Sequence, residues 1–197
     1  MQEYKTGRKA QSGNIVTPIA RVSFPYIFRP QMPSEDNDLK KPKYSAALLF
    51  PADADLTLLK EAAKKALEDK WGTDSTKWPD NLRSPFRDQS EKTVEGYTPG
   101  CKFITISSEH KPGLVGADGN HITDETLFYP GAWAWATVHA FAYDKKGNKG
   151  VAFGLDNIQK IRDDAPLAGK PRAESEFAAV AEAAGANASN GAGSIFD

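Results

Sequence analysis

The chain has 197 residues, of which 40% are hydrophobic, 10% aromatic and 26% charged; this composition is that of one soluble globular domain and excludes a fibrous or wholly disordered protein. A single cysteine, Cys101, excludes an internal disulfide and a cysteine-rich zinc site, so we expect a reducing, intracellular setting. The net charge is −1, and the absence of a signal peptide and of a run of about 20 apolar residues argues against secretion and membrane insertion.

Alternation of apolar and polar residues predicts five strands. They cover residues 18–24, 43–50, 101–108, 132–143 and 150–161. One helix is predicted between the second and third strands, over about 56–70, because apolar residues recur there at helical spacing. Asp53 or Asp55 can cap its start, and Gly72 suits its end. Residues 72–100 lack periodicity, and a loop of this length in a compact domain is usually functional.

The fourth predicted strand has two very different faces, since successive strand residues point to opposite sides of a sheet. One face is small, mostly alanine, and the other carries Trp133, Trp135, Thr137, His139, Phe141 and Tyr143. Either face can form the core. We expect a split in which Phe141 and Tyr143 are buried while Trp133 and Trp135 lie near a groove. The strand continues into the fifth through YDKKGNKG, a predicted hairpin turn with lysines at its tip.

Enzyme motifs are scarce in this sequence. It has no phosphate-binding glycine loop, dinucleotide fingerprint or zinc-protease motif. A pairing of Cys101 with His139 as nucleophile and base has no support from spacing. One polar stretch mixes imidazoles and carboxylates that could hold a divalent metal, namely Glu109, His110, Asp118, His121 and Asp124. We expect this stretch to be an ordinary loop, and we predict no catalytic residue, no cofactor and no metal.

Basic and aromatic residues stand side by side at several predicted strand ends and loops. SFPYIFRP, LKKPKY, LRSPFRD and the tryptophan-bearing strand with its lysine tip are the four cases. A protein that holds single strands without reading them needs aromatic faces for the bases and cations for the phosphates. The predicted nucleic-acid-binding residues are therefore Tyr26, Phe28, Arg29, Lys43, Tyr44, Arg83, Phe86, Arg87, Trp133, Trp135, Lys145 and Lys146.

The end of the chain differs from its body in charge and composition. Residues 163–197 carry six acidic against two basic residues, whereas residues 1–162 carry 20 acidic against 23 basic. The closing segment is rich in Ala, Gly, Asn and Ser, which leaves little apolar surface to drive folding. We therefore expect a flexible N-terminus over 1–13, a folded domain over 14–162 and a mildly acidic, flexible tail over 163–197.

Four stretches together resemble a family of bacteriophage single-stranded-DNA-binding proteins. They are GNIVTPIARVSFPYIFRP, KPKYSAALLFP before the helix, GYTPGCKFITISS, and FYPGAWAWATVHAFAYDKKGNKGVAFGLDNIQKI, all within about residues 14–162. The resemblance implies an OB-fold barrel that coats single strands, no catalytic residues, and an acidic C-terminal tail that engages replication partners. The tail here is alanine-rich and only modestly acidic, with Ile195, Phe196 and Asp197 as the candidate partner-binding residues.

Residues and resemblance together predict a mainly β chain with one inserted helix, arranged as an OB-fold-like five-stranded barrel with long loops and a disordered C-terminal tail. They favour a sequence-tolerant single-stranded-DNA-binding protein of phage replication or recombination that acts in the host cytoplasm and does not contact membranes. Two alternatives stay open. One is a metal-dependent nuclease that uses His110, Asp118, His121 and Asp124, and the other is a structural phage protein that uses the barrel for protein contacts.

Overall fold

The computed structural model describes residues 4–33, 41–94, 96–145 and 147–167. The strands are β1 (Arg8–Lys9), β2 (Ile15–Val16), β3 (Ala20–Gln31), β4 (Lys43–Leu49), β5 (Arg87–Asp88), β6 (Lys102–Ser108), β7 (Gly113–Val115), β8 (Trp133–Lys145) and β9 (Asn148–Arg162). Helix α1 (Thr57–Trp71) lies between β4 and β5. The described residues are thus mainly β with one α-helix, as the sequence predicts.

Five of these strands close into a ring. The order around it is β3, β4, β6, β9 and β8, and β8 pairs again with β3. All neighbours are antiparallel except β6 and β9, which are parallel. These are the five strands predicted from alternation, and the OB-fold-like class with one inserted helix is confirmed.

Helix α1 begins and ends where the sequence predicts. The Asp55 carboxylate accepts a hydrogen bond from the Thr57 amide at 2.9 Å, and the Gly72 amide donates to the Glu68 carbonyl at 2.8 Å. Gly72 has φ of 86°, a conformation that favours glycine at a helix end. The helix packs its apolar side against β8 and β9 and so covers part of the core. No helix among the described residues is long and apolar enough to cross a membrane.

The small face of β8 forms the core, and the large face points outward. Ala134, Ala136 and Val138 are each at most 1% exposed, whereas Phe141 is 41% exposed. The prediction that Phe141 is buried is therefore wrong, and Tyr143 is only half-buried. Strict alternation explains the error. Val138 points into the core, and Phe141 is three positions further along β8, so its side chain points to the opposite face.

Segments before β2 and after β9 also pack on the ring of strands. The Tyr4 carbonyl accepts from the Ile19 amide at 2.7 Å, and β1 pairs with β2. After β9, the Leu167 amide donates to the Pro130 carbonyl at 3.1 Å, and its side chain is only 2% exposed. The segment up to Leu167 therefore packs on the domain. The rest of the predicted tail lies outside the described residues.

The loop between α1 and β6 is tied to the ring by one buried side chain. Gln89 is 2% exposed, and its amide nitrogen donates to the carbonyls of Phe50 and Lys102 at 3.0 and 2.9 Å. Its amide oxygen accepts from the Thr98 backbone at 2.8 Å. Gln89 thus joins the end of β4, the start of β6 and the loop itself.

The orientation of β8 can be tested by comparing two phenylalanines on opposite faces of the β8–β9 hairpin. Phe153→Ala should lower the free energy of unfolding by about 3–5 kcal/mol, because Phe153 is 1% exposed and its removal leaves a cavity. Phe141→Ala should change it by about 0.5 kcal/mol or less, as at other surface positions. Urea denaturation of both variants measures the difference, and equal losses would contradict the outward orientation of Phe141.

Candidate nucleic-acid interface

A row of small residues crosses the outer face of the ring between two aromatic ends. Ser45 of β4 lies opposite Tyr26 of β3 on one side and Ser107 of β6 on the other. Ser107 lies opposite Gly154 of β9, which in turn lies opposite His139 of β8. Register partners carry their side chains on the same face of a sheet. We call this row the trough: Ser45, Ser107 and Gly154 form its floor, and Tyr26 and His139 form its ends.

The neighbours of the floor residues show that the trough faces outward. Ala46, Ile106 and Phe153, each adjacent in sequence to a floor residue, are at most 1% exposed and belong to the core. Neighbouring strands lie about 4.8 Å apart, so the floor residues on β4, β6 and β9 follow a path of about 10 Å across the outer face of the ring.

The far end of the trough is an aromatic pair that rests on β9. The His139 ring lies directly over Gly154, where an added Cβ would be 2.3 Å from ring atoms Cε1 and Nε2. Its Nδ1 is 3.1 Å from the Asp156 carboxylate, which also accepts from the Asn14 side chain at 3.0 Å. The centroid of the Phe141 ring lies 6.1 Å from that of His139. Glycine at position 154 therefore lets the histidine lie flat, and Asp156 holds it there.

Three lysines surround Glu109, two positions after the floor residue Ser107. Lys41 Nζ donates to Glu109 Oε2 at 3.0 Å. This bond, together with the charges of Lys41, Lys43 and Lys145, lowers the pKa of the Glu109 carboxyl below its ordinary value. The predicted residues Lys43 and Lys145, from the start of β4 and the end of β8, thus both act on Glu109 through their charges. Lys146 lies outside the described residues.

A groove at the end of β3 gathers three more of the predicted residues. Tyr26, Phe28 and Arg29 line it together with Tyr129, around a volume of about 470 Å³. Tyr26 is 39% exposed, whereas Phe28 also packs against the core. Arg29 Nε donates to Glu125 Oε1 at 3.1 Å. The groove therefore continues the trough at its Tyr26 end.

The two predicted tryptophans are covered by the protein's own side chains. The Tyr4 ring stacks on Trp135 with centroids 5.2 Å apart, and the Arg8 guanidinium lies 4.5 Å from the same ring. The Arg162 guanidinium lies 4.7 Å from the Trp133 ring. Both rings thus contact segments that flank the ring of strands, at residues 4–8 and 162–164, although they share the outward face of β8 with His139.

The LRSPFRD segment does not join the trough residues. Phe86 packs edge-on against the core ring of Phe153, with centroids 5.8 Å apart. Arg87 pairs with Glu91 at 2.6 Å, and Arg83 is bonded to β9 through its backbone. Although Arg83 and Arg87 flank Phe86 in the sequence, the Phe86 ring packs against the core.

Tyr44 is another predicted residue that the strand geometry separates from the trough. It precedes Ser45, so its side chain points to the opposite face, whereas Lys43 shares the face of the trough. The candidate tail residues Ile195, Phe196 and Asp197 lie outside the described residues.

Sequence reasoning missed Phe24, His139 and Phe141 as candidate contacts, together with the small floor residues. The exposure of Phe141 could have been predicted from the sequence, because strict alternation places it on the face opposite the alanines that pack in the core. The floor could not have been predicted, because Ser45, Ser107 and Gly154 become neighbours only through strand register.

The polar stretch that suggested a metal does not form a metal site in the described part of the chain. No three His, Cys, Asp or Glu side chains converge there as ligands would. The Asp118 and Asp124 carboxylates instead accept from Asn120 and Thr126, and these hydrogen bonds lower the pKa of each carboxyl. Both carboxylates therefore serve local turns, and the geometric support for the nuclease alternative is absent from these residues.

The chain matches one protein family over most of its length. The family model described as Enterobacter phage Enc34, ssDNA-binding protein, matches residues 13–187. No protein with a curated description matches the chain significantly.

Solved structures share the fold. The single-stranded DNA-binding protein from bacteriophage Enc34, in complex with ssDNA, aligns with a TM-score of 0.66 and 21% identity over 83% of this chain and 94% of that chain. The gp2.5 single-stranded DNA binding protein encoded by bacteriophage T7 aligns with a TM-score of 0.57 and 13% identity over 91% and 97% of the two chains. Because the family model spans most of the sequence, this chain belongs to the phage Enc34 ssDNA-binding protein family.

Proposed function

We propose that this chain binds single-stranded DNA along the trough, without reading base sequence and without catalysing a reaction on the strand. The observation that carries the proposal is the row of small residues that runs across three neighbouring strands between exposed rings, beside a group of lysines. Membership of the family supports it, as does the related structure that contains ssDNA. We place the activity in phage DNA replication or recombination, in the host cytoplasm.

The trough offers each part of an unpaired strand a chemically suitable partner. Tyr26 at one end and His139 with Phe141 at the other present ring faces on which bases can stack. The small floor lets the strand approach the sheet, and the Ser45 and Ser107 hydroxyls can donate hydrogen bonds to it. None of these contacts distinguishes one base from another, because every base has a π-face, so binding is sequence-tolerant.

The lysines supply the phosphate contacts. Lys41, Lys43 and Lys145 approach one carboxylate from two separate segments, which leaves a local surplus of positive charge beside the trough. In this proposal Tyr26, Phe28, Arg29, Lys43 and Lys145 keep their predicted roles, whereas Tyr44, Phe86, Trp133 and Trp135 serve the fold first.

The C-terminal tail is proposed to act through its charge and its apolar tip. Residues 173–197 hold four acidic and no basic residues, and Ile195 with Phe196 precedes Asp197. We propose that this segment competes with DNA for the lysines and recruits phage or host replication proteins. Residues 13–187, which the family model matches, include most of it.

Binding should depend strongly on salt. Fluorescence anisotropy of a labelled oligo(dT) should give a slope of log K against log salt of about −2, from about −0.7 for each of three neutralised phosphates. Lys145→Ala should reduce the slope by about 0.7, whereas Lys77→Ala, which removes a lysine paired with Asp74 in the loop after α1, should leave it unchanged. A flat salt response would contradict phosphate binding by the lysines.

Removal of the Glu109 charge should tighten binding. Glu109 is ionised at neutral pH, as a glutamate with an ordinary pKa also is, and its charge repels phosphates and binds Lys41. Glu109→Gln should raise affinity for oligo(dT) by about fivefold at low salt, the effect of one nearby charge in a watery environment. The increase should disappear at high salt. Glu61→Gln, on the exposed side of α1, is the control, and an equal gain there would show that only net charge matters.

Deletion of residues 173–197 should tighten binding or leave it unchanged, because the deletion removes four negative charges that compete with phosphate. The same oligo(dT) titration measures it, beside a variant in which Glu174, Glu176 and Glu182 become Gln. Marked weakening by the deletion alone would show that the tail itself contacts DNA, against the competitive role.

A further inference from the structure

Phe24 has a backbone conformation that phenylalanine rarely adopts. Its φ is 48°, in the left-handed region where glycine and asparagine are favoured and a bulky residue is a true outlier. The pairing of β3 with β4 shifts here: three steps along β3, from Ser23 to Tyr26, match two along β4, from Ala47 to Ser45. One extra residue is therefore inserted into β3, which is a β-bulge.

The bulge directs the Phe24 ring outward rather than into the core. The side chain is 48% exposed and is absent from both core clusters of the described residues. It lines the groove at the end of β3 beside Tyr26 and Phe28, opposite Tyr129. Core packing does not explain a strained backbone that leaves about half of a large apolar ring exposed, and such strain concentrates at ligand-binding positions.

We propose that an unpaired nucleobase stacks on Phe24 inside this groove, at the β3 end of the trough. The proposal rests on the proposed function and adds to it a specific base-binding subsite that composition and spacing did not indicate. The residues that line the groove, and its position next to the trough, indicate the class of ligand. The groove is lined by several aromatic rings, it is open to solvent, and it begins at Tyr26, where the row of small residues ends.

The decisive variant is Phe24→Gly, which removes the ring and relieves the backbone at the same time. Glycine adopts positive φ without steric strain, which offsets the loss of a half-exposed ring, so the melting temperature should change little. Affinity for oligo(dT) should nevertheless fall roughly tenfold or more, the effect of losing one stacked base. Phe24→Asn, which also tolerates this conformation, should behave in the same way, and Phe24→Trp should retain binding.

Asn81 provides a matched control because it is the other non-glycine residue with positive φ among those described, at 59°. Asn81→Gly relieves its backbone in the same way but removes no ring, so affinity should not change. A fall in affinity for both glycine variants would overturn the proposal, because it would trace the effect to the backbone.

A second measurement locates the base itself. A single 2-aminopurine is moved along a short oligo(dT), and its emission should be quenched on binding at one position through stacking. The quench should persist with Phe24→Trp and be lost with Phe24→Gly at a DNA concentration that saturates the variant. If wild-type protein binds and Phe24→Gly binds within twofold of it, or keeps the quench, the subsite is disproved while the proposed function stands. If wild-type protein binds no oligonucleotide at low salt, both fail.

Discussion

Closure of the five-stranded ring is the constraint on which the rest of this structure depends. Every strand in a closed ring has two neighbours, so one set of alternate residues must fill a narrow interior and the other set must face outward. β8 meets this requirement with alanines and Val138 inside the ring. Helix α1 packs against β8 and covers part of this core. The same alternation leaves His139 and Phe141 on the outside, where a ligand can reach them.

Ring closure also explains how a binding surface arises from residues far apart in the sequence. Ser45, Ser107 and Gly154 come from three different strands, and only the antiparallel β4–β6 and parallel β6–β9 registers bring them into one row. Ser45 and Ser107 leave the sheet partly open between Tyr26 and His139, whereas large side chains at these positions would cover it. Gly154 has a further role, because the His139 ring occupies the space of its missing side chain.

The local charge around Glu109, beside the trough, differs in sign from the formal net charge of the chain. Many basic side chains stand beside a carboxylate, as Lys65 does with Asp69 and Arg87 with Glu91, and such pairs contribute little field at a distance. At Glu109, Lys41 is hydrogen-bonded to the carboxylate, and the charges of Lys43 and Lys145 act on the same group. A chain with a formal charge of −1 can therefore still attract a polyanion locally.

The amino-acid sequence alone determined the five ring strands, the helix with its Asp55 and Gly72 ends, and the family, because alternation, helical spacing and turn residues act over short distances. It also identified Tyr26, Arg29, Lys43 and Lys145, whose roles in DNA binding remain predictions. Only the tertiary structure decided that Trp133 and Trp135 are covered by Tyr4 and the arginines, that Phe86 packs in the core, and that Phe24 is exposed on a bulge. Those outcomes depend on register, ring closure and the contacts of the chain ends, which join residues distant in sequence and leave no periodic trace in it.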